Sequence, residues 1–212
     1  MWRVRAKGIW ETPLGCVGLA ALTVGIPAGI MIAVVCAETT PKEADQTLTS
    51  HSSLIGLCEL PPRYFTESAP RTETGPAPIW LYHQQNGGNP GRARIVLDAL
   101  PDSPHLTWRE HDVRRVQLVG CTGIDKDDHR DSGKRCTYAD RTVPLRTGRY
   151  LLELREAATG RLTARGRVEP ANPQCPSAED FKAYGETLSK AFATPTAEEY
   201  ATAFEELARE KR

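Results

Sequence analysis

Tyr150–Val168 reads YLLELREAATGRLTARGRV. Two short runs, YLLELRE (Tyr150–Glu156) and LTARGRV (Leu162–Val168), flank AATGR, whose glycine suits a tight turn. In the second run Leu162, Ala164 and Val168 alternate with Thr163, Arg165 and Arg167, the period of two that marks a half-buried strand. A β-hairpin is predicted here.

The same signals recur upstream. Ile79–Gln84 (IWLYHQ) and Arg92–Leu97 (RARIVL) flank the turn-rich NGGNPG, which predicts a second hairpin. His105–Arg109 (HLTWR) and Arg115–Cys121 (RVQLVGC) are expected to pair across the polar EHDV connection. Short strands separated by turns point to a mainly β fold, a small antiparallel β-sandwich or barrel-like domain. Downstream the period changes. Ser177 and Asp180 form a capping box ahead of Phe181, Tyr184, Leu188 and Phe192 at helical spacing. Thr196 and Glu199 repeat the start signal before Tyr200, Phe204 and Leu207. One or two C-terminal α-helices, packed on the β domain by their apolar stripes, are expected.

Leu14–Ala37, LGCVGLAALTVGIPAGIMIAVVCA, is a run of 24 residues without a charge. About 20 residues at about 1.5 Å each cross the hydrocarbon core, so this run is expected to be a single transmembrane helix. Arg3, Arg5 and Lys7 precede it, which places the N-terminus in the cytoplasm and the bulk of the chain outside. Cleavage near Ala37 is the alternative, but the run exceeds the usual length of a signal-peptide apolar region. Gly25 and Gly29 have the spacing of a helix-contact motif, with Pro27 between them. The expected organisation is a cytoplasmic segment (1–13), a signal anchor (14–37) held in the lipid bilayer, a flexible stalk (38–53), an extracytoplasmic β domain (54–176) and a C-terminal helical segment (177–212).

The 212-residue chain carries 27 basic and 27 acidic side chains, so no long-range field favours nucleic acid. Cys58, Cys121, Cys136 and Cys175 fall in the exported part without a C-x-x-C or a cysteine–histidine cluster. That spacing favours disulfides over zinc. Cys121 with Cys136, closing a local loop, and Cys58 with Cys175, joining the ends of the domain, are the expected pairs.

Three constellations invite chemistry. Asp125, Asp127 and Asp131 alternate around His129, but Arg130 and Cys136 stand where a calcium loop needs glycine and glutamate. A solvated hairpin tip is expected, with no metal and no cofactor. His111 between Glu110 and Asp112 is the best single general-base candidate, and a surface turn accounts for the same residues. Arg161, Arg165 and Arg167 would suit an anion, or pair with Glu153 and Glu156 across the hairpin. The resulting expectation is a non-enzymatic module binding a partner protein or cell-envelope component. Its rivals are a small envelope hydrolase assembled from scattered residues such as His111 and Asp112, and an accessory subunit of a membrane complex associating through Gly25 and Gly29.

Overall fold

The computed structural model describes residues 40–72, 75–84, 103–108, 110–178, 181 and 189–209. Along the chain come β1 (Lys42–Glu43), a 3-10 helix (His51–Cys58), β2 (Arg63–Tyr64), β3 (Ala77–Gln84), β4 (Leu106–Thr107) and a second 3-10 helix (Val113–Arg115). They are followed by β5 (Leu118–Thr137), β6 (Thr142–Glu156), β7 (Leu162–Val168), β8 (Ala191–Phe192) and helix α1 (Ala197–Arg209). The fold is mainly β, built on one mixed six-stranded sheet in the order β4-β3-β5-β6-β7, with β8 also on β6. β1 and β2 form a separate parallel pair.

The predicted hairpin at 150–168 is present: β6 and β7 are antiparallel, with Glu153 opposite Arg165 and Leu154 opposite Ala164. Gly160 closes the turn at φ +68°, where an L side chain is strained. The other pairings differ from expectation. β3 runs parallel to both β4 and β5, so the sheet is mixed rather than antiparallel. Among the described residues no second large sheet faces it, as a sandwich or barrel would require. The run Arg92–Leu97 lies outside the described residues.

One face of the sheet carries α1. Ile79, Leu81, Leu118, Leu152, Leu154 and Ala164 meet Tyr200, Phe204 and Leu207 in a closed apolar layer. Complete burial of a side chain such as Phe204 contributes roughly 2–3 kcal/mol. At Gly120 a Cβ would stand 2.9 Å from the Phe204 ring, so glycine is what lets the helix approach. The predicted capping box fixes the start of α1: the Thr196 amide donates to Glu199 (2.7 Å) and the Glu199 amide to the Thr196 hydroxyl (3.2 Å). The opposite face carries Tyr82, Val119 and Cys121 against Leu48, Leu54, Leu57 and Phe65. A third cluster, Cys136, Val143, Leu145, Phe181, Ala191 and Ala193, sits at the far end of the β5–β6 ladder. Phe192 was expected on a helix with Phe181; it lies instead on β8, beside Arg146 of β6.

Thr40–Ser53 is not a flexible stalk. The Lys42 amide donates to the Pro62 carbonyl (2.8 Å), the Ala44 amide to that of Tyr64 (2.9 Å), and Leu48 is buried. A single leucine in a polar run gave no periodic signal, yet its burial under the sheet orders the segment. The run Leu14–Ala37 lies outside the described residues, and among those described no helix is long and apolar enough to cross a membrane.

All four cysteines of the described domain are bonded, but Cys58 pairs with Cys121 and Cys136 with Cys175. The expected Cys121–Cys136 bond is geometrically excluded. Both lie on β5, fifteen residues apart, and at about 3.3 Å per residue they stand tens of ångströms from one another. Non-reducing peptide mapping is expected to recover the 58–121 and 136–175 pairs. Replacing either pair by alanines should lower unfolding stability by about 4 kcal/mol in the chain-entropy picture, read by denaturant titration.

Candidate functional surface

The charged segment between Cys121 and Cys136 belongs to β5 rather than to a separate loop, although residues 125–128 and 132–134 step out of register with β6, and several of its charges are paired. Asp128 pairs with Arg149, Asp131 with Arg146 (3.9 Å), and Arg130 with Glu169. The hydrogen bond from Arg149 holds the Asp128 carboxyl below its ordinary pKa and raises that of the guanidinium. His129 tilts against Phe192, with ring centroids 5.0 Å apart; burial, and then the charge of Lys190, lower its pKa. Among the described residues no group of three or more His, Cys, Asp or Glu side chains could hold a metal ion.

The remaining histidines are dispersed. His111 is exposed, and Asp112 beside it accepts from the Arg114 amide (3.0 Å), capping the second 3-10 helix. Glu110 accepts from the Asp112 amide (3.0 Å). The three residues therefore form a surface turn. His51 stacks on Trp80 with centroids 3.8 Å apart, while its carbonyl accepts from the Tyr82 hydroxyl, whose pKa is raised by burial. His105 stands 3.7 Å from Glu205 of α1. A cleft of about 280 Å³ is lined by Glu43, Asp45, Phe65 and Glu67, among others. Its Glu43 and Glu67 carboxylates accept from the Thr66 hydroxyl (2.9 Å) and the Leu48 amide (2.6 Å).

Arg161 of the turn and Arg165 and Arg167 of β7 divide by role. Arg161 clamps Glu156 through two guanidinium nitrogens, closing the turn. Burial pushes the Glu156 carboxyl up, but hydrogen bonds from Arg161 and Thr159, with the Arg161 charge, bring it below its ordinary value. On the face away from α1, Glu153 accepts from Arg165 on one oxygen (2.9 Å) and from Arg155 on the other (2.5 Å). Arg155 is buried and also donates to the Gly160 carbonyl (3.2 Å). Arg167 lies opposite Leu151, whose side chain is 41% exposed. One carboxylate thus serves two guanidiniums and a third stands beside an exposed leucine, which gives the strip surplus positive charge around an apolar centre. The pairing of Arg161 and Arg165 with Glu156 and Glu153 was expected. Leu151 was not singled out, although counting register back from the AATGR turn sets it on the same face as Glu153.

No family model, curated protein or solved structure matches the chain.

Glu153→Ala should cost about 3 kcal/mol of stability because it strands the buried Arg155 charge, whereas Arg165→Ala at the rim should cost less than about 1 kcal/mol. Urea titration of the two variants makes the comparison. Glu156 predicts an acid dependence. A carboxyl with a lower pKa in the folded state lends its full stability above the unfolded value, about 4.3, and loses it as pH falls through the folded one. Melting temperatures taken from pH 7 down to pH 3, a range chosen to span that value, should therefore fall more steeply for the wild type than for Glu156→Gln.

Proposed function

We propose that the chain is a single-span membrane protein, anchored by Leu14–Ala37, that holds a non-enzymatic binding module on the oxidising side of the membrane. The module engages an acidic segment of a partner protein through the outer face of β6 and β7. The observation that carries this reading is the strip of Leu151, Arg165 and Arg167, an exposed leucine among guanidiniums that outnumber their carboxylate. Arginine beside apolar side chains is the composition enriched where proteins meet, since the planar guanidinium binds carboxylates with two parallel hydrogen bonds. The two disulfides support export, because such bonds persist in oxidising compartments. An uncharged run of 24 residues ahead of the domain supplies the means of export.

The test is a photo-crosslinker at position 151 in the full chain, activated in intact cells. A defined adduct that disappears in the Arg165→Glu, Arg167→Glu double variant is expected, with the variant's melting temperature near that of the wild type. An adduct unchanged by charge reversal would refute an acidic contact. Labelling of intact cells without reductant should leave residues 58, 121, 136 and 175 unmodified by a membrane-permeant thiol reagent. Modification at these positions by the permeant reagent but not by an impermeant one would show free thiols inside the cell and overturn the topology.

A further inference from the structure

The described chain begins at Thr40, and by Lys42 it is already hydrogen-bonded to the Pro62 carbonyl (2.8 Å) in the β1–β2 pair. Ala37, the last residue of the apolar run, is three residues before Thr40. At no more than about 3.6 Å per residue that connection spans at most roughly 11 Å. With no stalk between them, the pole of the domain where β1 begins is held against whatever surrounds residue 37.

That pole has the chemistry of a lipid-facing surface. Leu60, 76% exposed, is the more exposed of the two large apolar side chains at the described surface. It is rigidly mounted: Cys58 is bonded to Cys121 of β5, Glu59 pairs with Arg63 (3.1 Å), and Pro62 accepts from Lys42. Lys42 and Arg63 are register partners on the β1–β2 pair, whose second strand begins three residues after Leu60 in the chain, and both are exposed. The β6–β7 turn reaches the same place, since a Cβ on Gly160 would meet Pro41 at 2.7 Å, and it carries the exposed Arg161. Glu43, Glu59 and Glu156 lie in the same region, each hydrogen-bonded or ion-paired, so the pole is nearly balanced in charge. An exposed leucine on a surface that also carries basic side chains with long aliphatic stems suits the headgroup boundary, where the stems lie along apolar surface and the charges reach water.

We propose that this pole seats directly on the bilayer that holds residues 14–37, with Leu60 inserted at the headgroup boundary and Lys42, Arg63 and Arg161 around it. The proposal rests on the membrane anchor proposed above. Seating fixes the orientation of the domain: the β5–β6 ladder rises from the bilayer and carries the turn at 138–141 away from it.

The test uses the full chain with Cys16→Ala and Cys36→Ala, reconstituted in vesicles of phosphatidylcholine and phosphatidylglycerol. A nitroxide is placed through Leu60→Cys or, as a control at the far end of the ladder, Thr142→Cys. The label at 60 is expected to collide several-fold more with oxygen, and several-fold less with a water-soluble nickel chelate, than the label at 142. Equal nickel accessibility at both sites, in a chain that stays in the vesicles through an alkaline carbonate wash, would overturn the seating while leaving the anchor intact. Shielding of position 60 from both reagents would mean a protein contact and would also overturn it. Release of the chain by the wash would refute the anchor, and the seating with it.

Discussion

Everything in the domain is attached to the antiparallel ladder of β5 and β6. It runs from Leu118 opposite Glu156 to Thr137 opposite Thr142, far longer than an ordinary strand pair. The register shifts between Ile124 and His129 and between Asp131 and Arg135, where residues 125–128 and 132–134 stand out of register with β6, and the pairing resumes after each. Its central, most charged portion is held by pairs such as Asp128 with Arg149, which let a polar sequence run as strand where no core covers it. On β6 the alternating buried side chains are Val143, Leu145 and Thr147 at one end and Tyr150, Leu152 and Leu154 at the other, with Arg155 and Glu156 buried beyond them at the turn. Their parity changes at Thr147 and Gly148, so the ladder offers opposite faces to two different cores. A hairpin of this length depends on those cores, because an isolated two-stranded ribbon is only marginally stable in water.

Local signals were legible in the sequence and long-range ones were not. The 150–168 hairpin, the Thr196–Glu199 capping box and the apolar stripe of α1 each depend on residues a few positions apart, and each is present. The parallel union of β3 with β5 has no such signature. Trp80 lies opposite Val119 only because both strands bury side chains on two faces. Polarity misled at 122–135, where charge suggested a loop although the neighbouring strand supplied a counter-ion. The pairing of Cys121 failed for the same reason, since a strand separates what a loop would have brought together.

The candidate surface was legible in part. Arg165 and Arg167 stood out from the alternation of β7, and their carboxylate partner on β6 followed from the turn. That Glu153 divides its oxygens between Arg155 and Arg165 was not readable, because Arg155 reaches back across the turn to the Gly160 carbonyl. That sharing sets the surplus charge of the strip. It also places a structural requirement, a buried guanidinium, directly beneath the residues proposed to meet a partner.

The order of the two disulfides along the chain bears on biogenesis. Cys58 bonds to the next cysteine of the domain, Cys121, and Cys136 to the next, Cys175, so the two closed loops follow one another without nesting or crossing. A polypeptide emerging from its N-terminal side presents each thiol's correct partner first. Among the four cysteines of the domain, the earlier bond can therefore be sealed before either later thiol has been synthesised, so order of appearance favours the connectivity observed.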